Sequence, residues 1–179
     1  MIGFRILERK RKVADRVVQQ FRDIPVANIS DSMSRITAGG ARLRPMHGGG
    51  AMAGPAFTVK TRPGDNLMVH KALDLAEPGD VIVVDAGGDL TNAVIGEIMS
   101  TYAKARGVAG MVINGAVRDA DSLRAGTFPV FAAGVHGPQP RAAGRHARHA
   151  VADVRDRQLA EARDHVRPDL SGTQRDPEP

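Results

Sequence analysis

Three short apolar runs recur through the middle of the chain: "VIVV" at 81–84, "VAGMVI" at 108–113 and "FPVFAA" at 128–133. They are unbroken rather than alternating, which is typical of strands buried on both faces of a mostly parallel sheet. Helix-like stretches separate them, and strands that alternate with helices along a chain favour an α/β fold. The sequence therefore predicts an α/β domain built on one mostly parallel sheet.

Two stretches of the chain have a clear helical pattern. Residues 8–22 repeat apolar side chains at helical spacing among charged ones, which predicts an amphipathic helix. The stretch "NAVIGEIMSTYAKARG", residues 92–107, predicts one longer helix, and Gly107 is expected to end it.

The composition divides the chain into three parts. We expect a basic N-terminal helix over residues 1–23, a central domain over residues 24–136 and an atypical tail over residues 137–179. The tail has eight Arg and no Lys, Ile, Phe or Met. It can therefore contribute little to a hydrophobic core, and its end resembles a disordered segment.

The charge of the chain suggests a nucleic-acid partner only at first sight. The isoelectric point is about 10.2, but residues 1–22 hold seven Lys or Arg against two acids, whereas residues 23–136 hold ten against eleven. Aromatic residues make up 3% of the chain, so few side chains can stack on bases. Nucleic acid is therefore not expected as a partner.

The absence of cysteine limits the chemistry that the chain can perform. It excludes disulfides, thiol nucleophiles and cysteine-ligated metals, so any metal ion must be held by oxygen or imidazole. No apolar run approaches the roughly 20 residues that cross a bilayer, and no signal peptide is recognisable. We expect a cytoplasmic protein without a membrane partner.

Chemistry-bearing residues follow two of the predicted strands, and ligands of open α/β sheets bind at the carboxyl ends of strands. One group begins at Asp85, and the other contains Arg118 and Asp119. Adjacent Arg and Asp side chains can simply cap the next helix in solvent. Alternatively, the Arg binds a substrate carboxylate while the Asp holds Mg²⁺ or Mn²⁺. Between the two groups, Gly96 and Glu97 lie where free backbone amides could attract an anion.

The segment Pro78–Val135, "PGDVIVVDAGGDL" through "VINGAVRDAD" to "FPVFAAGV", resembles the RraA-like family. This family contains 4-hydroxy-4-methyl-2-oxoglutarate aldolases and the regulator of ribonuclease E activity. "VANISDSMS" and "DNLMVHKAL" also fit it, so the resemblance covers about residues 24–136. It implies a swivelling β/β/α fold that assembles as trimers or hexamers with active sites between subunits.

The resemblance also implies roles for individual residues. Arg118 would hold the substrate oxygens, and Asp119 would bind the divalent metal. Glu97 stands where aldolase members commonly have Asp, and it keeps the charge on a side chain one methylene longer. The amides that bind the pyruvyl carboxylate would come from Gly96, Glu97, Ile98 and Met99.

The implied activity is that of a metal-dependent, class II aldolase. Cleavage of a 4-hydroxy-2-oxo acid such as 4-hydroxy-4-methyl-2-oxoglutarate would leave a stabilised pyruvate enolate, and the same chemistry would decarboxylate oxaloacetate. A water molecule or a carboxylate near Glu97 and Asp119 would remove the 4-hydroxyl proton. The alternative is a non-catalytic protein that binds and inhibits a ribonuclease, as regulator members of the family do.

The C-terminal part departs from the family pattern. Members generally continue past "GVH" with further strands, often with a "PGD" turn and a "D-x-D-G-V" segment, and neither occurs here. The abrupt Arg-rich, Lys-free tail suggests the hypothesis of a frameshift near residues 136–140, which would leave the sheet without its C-terminal strands. An in-frame gene sequence together with an intact mass matching the tail would disprove it.

Overall fold

The computed structural model of the chain describes residues 4–35 and 41–137. Five helices and six strands follow one another in this part of the chain. In chain order they are α1 (Asp15–Arg22), α2 (Val26–Ser32), β1 (Arg44–Pro45), β2 (Ala56–Lys60), α3 (Leu67–Leu75), β3 (Val81–Asp85), β4 (Ala93–Ile95), α4 (Glu97–Ala105), β5 (Gly110–Val117), α5 (Ala120–Ala125) and β6 (Val130–Val135).

The strands form one mixed sheet in the order β1, β6, β5, β3, β2. Among these described strands, only β1 is antiparallel to its neighbour, and β4 pairs with the far end of β5. The registers Val83 to Val112 and Val112 to Phe131 align the three apolar runs side by side. The predicted α/β fold with a mostly parallel sheet is therefore confirmed.

The core lies on the face of the sheet that the helices cover. Ile82, Met111 and Val130 occupy one row across three strands, and each has no solvent exposure. Helix α3 adds Leu73 to the same apolar cluster, and α4 adds Ala103. Aliphatic residues and Met dominate this cluster because the chain has so few aromatic side chains.

The N-terminal helix is shorter than the sequence predicts. The periodicity predicts a helix over residues 8–22, whereas α1 begins only at Asp15. The segment before it is not helical, and its Arg9 and Lys12 pair with Asp80 and Glu77 beside β3. Ion pairs to the body of the domain, including one to a buried carboxylate, compete here with the local preference for a helix.

The predicted helix over residues 92–107 is wrong in its first part. Ala93 and Ile95 belong to strand β4 and pair with Ala116 and Val117 of β5. Helix α4 begins only at Glu97. Pairing with a strand that is distant in sequence overrides the local helical periodicity, as tertiary context commonly does.

None of the helices within residues 4–35 and 41–137 is long and apolar enough to cross a membrane. Residues 138–179, which make up nearly all of the Arg-rich tail, lie outside the described part of the chain. The frameshift hypothesis and the three-part division of the chain therefore stay predictions.

Candidate functional site

Arg118 and Asp119 lie at the turn between β5 and α5, where the strand leaves the sheet. The backbone amide of Arg118 donates to the Ile95 carbonyl at 3.0 Å, which fixes the start of this turn beside β4. The Arg118 side chain is 64% exposed, and its Nε lies 3.7 Å from Oδ2 of Asp119. A cationic fork and a carboxylate are thus held side by side at the protein surface.

The backbone of Asp119 adopts the left-handed conformation, with φ of 57° and ψ of 40°. This region costs about 1–2 kcal/mol for most residues, and Asp tolerates it better than most. The carboxylate Oδ2 accepts a hydrogen bond from the backbone amide of Glu97 at 3.0 Å. The turn therefore directs the carboxylate toward the first residue of α4, 22 positions earlier in the chain.

Gly96 lies directly beneath this pair of side chains. A Cβ atom at residue 96 would lie 2.4 Å from Oδ2 of Asp119 and 2.7 Å from Cγ of Arg118. Its φ of −150° is ordinary extended backbone, so the need for glycine is one of space and not of conformation. The sequence predicts close approach of a ligand at Gly96, but in the structure the groups that approach are Arg118 and Asp119.

The first turn of α4 leaves backbone amides available. Gly96 is the N-cap of α4, and the first hydrogen bond of the helix is donated by the Ser100 backbone amide to the Gly96 carbonyl at 3.1 Å. The amides of Ile98 and Met99 donate no hydrogen bond to any residue of the described part. Unpaired amides at a helix N-terminus attract anions, because the helix dipole adds a partial positive charge there.

Two neighbours of this turn were not predicted from the sequence. Ser100 is buried, and its hydroxyl donates to the Glu97 carbonyl at 2.9 Å. Asn66, which precedes α3, donates to the sulfur of Met99 at 3.9 Å. The Met99 side chain is part of the core, so only its backbone amide can serve the site. No local pattern singles out Ser100, because the predicted longer helix conceals the start of α4, and none singles out Asn66, whose partner Met99 lies 33 positions away.

The second strand end forms its own hydrogen-bonded group. Oδ1 of Asp85 accepts bonds from the Gly87 amide at 3.1 Å and from the Asn114 side chain at 3.0 Å. These two bonds, the Gly87 bond foremost, hold the pKa of Asp85 below its ordinary value. Asp85 forms no hydrogen bond or ion pair with Arg118 or Asp119, so the structure joins only one of the two strand ends to α4.

Comparison with known proteins identifies the family to which this architecture belongs. The family model described as RraA-like, Aldolase/RraA, matches residues 26–172, most of the chain. The chain belongs to the RraA-like family. The resemblance over residues 24–136 is therefore confirmed.

Curated relatives of this RraA-like chain carry names of one activity. A protein of Halalkalibacterium halodurans named "Putative 4-hydroxy-4-methyl-2-oxoglutarate aldolase" is 44% identical over 117 residues, which are 65% of this chain and 56% of that protein. A protein of Burkholderia mallei with the same name is 38% identical over 126 residues, 68% of this chain and 76% of that protein. The chain thus spans little more than half the length of the first relative.

A solved structure supports the same fold. The RNA-processing inhibitor RraA from Thermus thermophilis is 28% identical, with a TM-score of 0.58 over 69% of this chain and 74% of that chain. Proteins similar to this chain therefore include one that is described as an inhibitor of RNA processing and others that are named as putative aldolases. The roles predicted for Gly96, Glu97, Ile98, Met99, Arg118 and Asp119 stay predictions.

Proposed function

We propose that this RraA-like protein is a divalent-metal-dependent aldolase that releases pyruvate from 4-hydroxy-2-oxo acids such as 4-hydroxy-4-methyl-2-oxoglutarate. Oxaloacetate decarboxylation is part of the proposal. The observation that supports it is that the Asp119 carboxylate lies beside Arg118 and accepts a hydrogen bond from the Glu97 amide at the start of α4, because the proposed cation and anion sites would then be adjacent. The names of the relatives support the same activity.

The residues present fit a hard divalent cation. Asp119 is 42% exposed, and its Oδ1 has no hydrogen-bond partner among the described residues. No group of three or more His, Asp or Glu side chains that could hold a metal occurs in residues 4–35 and 41–137. Mg²⁺ is commonly held by one or two carboxylates with water and substrate oxygens completing its shell. Asp119 would hold Mg²⁺ or Mn²⁺ in this manner.

The substrate carboxylate is expected at the start of α4. The amides of Ile98 and Met99, which have no acceptor among the described residues, would donate to it, and the helix dipole would favour its charge. The Arg118 guanidinium is exposed enough to form a bidentate contact with substrate oxygens. The anionic end of a 2-oxo acid would thus be fixed before any bond breaks.

Cleavage breaks the bond between C3 and C4 of the substrate. Its electron pair stays with the pyruvyl fragment as an enolate, while the 4-hydroxyl loses its proton and becomes a carbonyl. A bound divalent cation would supply stabilisation of the negative charge that develops on the 2-oxo oxygen. Arg118 would add positive charge that stabilises the same oxygen. In oxaloacetate the bond between C3 and C4 breaks in the same sense: its electron pair stays on C3 as the pyruvate enolate, and C4 leaves as CO₂.

Glu97 is the residue that we propose as the general base. Its side chain is half-buried at the first position of α4, on the same turn as the proposed carboxylate site. A carboxylate at this position can accept the 4-hydroxyl proton directly or through one water molecule. Its extra methylene relative to Asp gives it a longer reach.

We propose a homotrimer or a hexamer in the cytoplasm, with small-molecule 2-oxo acids as its ligands and with neither membrane nor nucleic acid as a partner. The apolar side chains of α1 and α2 support assembly, because neither helix buries a residue in the single chain.

Pyruvate release tests the proposal directly. The protein is incubated with 4-hydroxy-4-methyl-2-oxoglutarate or with oxaloacetate, first with Mg²⁺ and then with excess EDTA. Pyruvate that forms with Mg²⁺ and stops with EDTA is the expected result. The oligomer mass and the circular dichroism spectrum establish that the sample is assembled and folded.

A ribonuclease regulator is the second candidate, and the similarity to the RNA-processing inhibitor RraA favours it. A folded, assembled sample that releases no pyruvate but inhibits ribonuclease E would replace the aldolase with this regulator. Retention of Arg118, Asp119 and an acid at position 97 favours the enzyme.

A further inference from the structure

The backbone amide of Glu97 already has a partner within the protein. It donates to Oδ2 of Asp119 at 3.0 Å, whereas the next two amides of α4, those of Ile98 and Met99, have no acceptor among the described residues. The four residues predicted to bind the substrate carboxylate are therefore not equivalent. One amide contacts a carboxylate of the protein, and two have no such partner.

The left-handed turn at Asp119 directs its carboxylate into this contact. A left-handed backbone at a residue other than glycine persists when its surroundings hold it. For the Asp119 side chain, the holding contacts are the Glu97 amide at 3.0 Å and the more distant Arg118 Nε at 3.7 Å. A hydrogen bond to an ionised acceptor is stronger than a neutral one. The Glu97 amide is therefore the main group that orients the carboxylate.

Gly96 makes the contact sterically feasible. Because a Cβ at residue 96 would lie 2.4 Å from Oδ2 of Asp119, any side chain there would push the carboxylate away from the Glu97 amide. The same Cβ would lie 3.0 Å from Nε of Arg118. The position of both side chains thus depends on the absence of a side chain at residue 96.

We infer that the Glu97 amide and Gly96 are positioning groups for Asp119, and that the Glu97 amide therefore does not bind the substrate carboxylate. This inference rests on the proposed function and divides its site into two parts. The Glu97 amide bonds to Oδ2, whereas Oδ1 of Asp119 has no hydrogen-bond partner among the described residues. A cation would therefore bind Asp119 chiefly through Oδ1, beside the proposed anion site.

The hydrogen bond can be observed by NMR without any catalysis. The protein is labelled with ¹⁵N-glutamate, and the Glu97 signal is assigned by its loss in Glu97→Gln. In Asp119→Ala, the Glu97 amide proton signal is expected to move upfield and to exchange with solvent about tenfold faster, because its acceptor is gone. In Asp119→Asn, which keeps an acceptor oxygen, the signal stays near its wild-type position.

Manganese binding provides the second measurement. Mn²⁺ affinity, followed by electron paramagnetic resonance, is expected to fall about 10–100-fold in Gly96→Ala, as is usual when a group that orients a metal ligand is disturbed. The control is Gly126→Ala, because a Cβ at residue 126 meets its nearest atom at an ordinary 3.4 Å. This variant should bind Mn²⁺ as the wild type does.

The outcomes separate this inference from the proposed function. If the wild type binds no Mn²⁺, the metal-dependent function fails, and with it the role of the Glu97 amide in metal binding. If the wild type binds Mn²⁺ but Gly96→Ala binds it equally well, the positioning role alone is overturned. A Glu97 signal that does not respond to Asp119→Ala would likewise overturn it while leaving the aldolase proposal intact.

Discussion

Arg9 Nη1 lies 2.7 Å from Oδ2 of Asp80, and this ion pair joins the N-terminal segment to the turn before β3. The Asp80 side chain is completely buried, and its Oδ2 also accepts a hydrogen bond from the Glu77 backbone amide at 2.9 Å. The Arg9 guanidinium also lies 5.7 Å from the centre of the Phe57 ring. A charged residue near the start of the chain is thus fixed against the body of the domain.

Removing Arg9 should destabilise the protein, because it would leave the Asp80 carboxylate buried without its closest cation. We expect Arg9→Ala to lower the free energy of unfolding by about 3 kcal/mol. Urea denaturation measures this change. The control is Arg35→Ala, which breaks the exposed pair with Asp31 and should cost less than about 1 kcal/mol. Equal effects of the two variants would contradict the structural role of the Arg9 pair.

Asp119→Ala should abolish Mg²⁺-dependent pyruvate release while the protein stays folded. The reason is that it removes the carboxylate proposed to hold the cation. Steady-state kinetics with circular dichroism tests this expectation. Asp121→Ala is the matched control, since Asp121 is exposed and pairs with Arg124 at 3.4 Å on α5. Undiminished activity in Asp119→Ala would disprove the metal assignment.

Arg118→Lys should weaken the enzyme even though the charge is kept. An ammonium group cannot reproduce the planar, bidentate fork of a guanidinium. We expect kcat/KM for the 2-oxo acid to fall at least about tenfold, since the loss of one charge-assisted hydrogen bond is of that size. Arg124→Lys is the control on the neighbouring helix. If Arg118→Lys retains full kcat/KM, Arg118 supplies only a diffuse positive charge.

Asn114→Ala should raise the pKa of Asp85 part of the way toward its ordinary value. The Gly87 amide, which is the larger cause of the lowered pKa, remains in this variant. NMR titration of the Asp85 carboxyl carbon measures the change. Because the folded-state pKa lies below the unfolded one, the bonds to Asp85 stabilise the protein above the unfolded pKa. This stabilisation is lost as the pH falls through the folded pKa.

The coupling between protonation of Asp85 and folding also predicts how the stability of Asn114→Ala depends on pH. The stability difference between wild type and Asn114→Ala should be largest near neutral pH and should shrink in acid, once Asp85 is protonated in both proteins. Urea denaturation at several pH values records it. A difference that grows in acid would contradict the assignment.

Gly54→Ala should destabilise the fold through backbone contact. A Cβ at residue 54 would lie 2.2 Å from the Gly79 carbonyl oxygen, which cannot move as a flexible side chain could. Overpacking of this kind costs about 1–3 kcal/mol. Thermal denaturation measures the loss, and Gly126→Ala, with ordinary contacts, should change stability by less than about 0.5 kcal/mol.

The position of Arg118 and Asp119 was easier to predict from the sequence than the elements around them. Both residues were expected at the end of a strand, and β5 does end at Val117. The sequence does not predict the start of α4 at Glu97, because "NAVI" fits a helical period as well as it fits a short strand. Only pairing with β5 decides between the two, and that partner lies more than 20 residues away.

The sequence by itself determined the sheet, since unbroken apolar runs such as those of β3, β5 and β6, separated by helical stretches, are typical of the strands of a mostly parallel sheet. It also determined which chemical groups are available at the strand ends. Tertiary structure alone decided that the Asp119 carboxylate meets the Glu97 amide above Gly96. That contact joins residues 22 positions apart, and no local pattern encodes the space between two backbones that the sheet brings together.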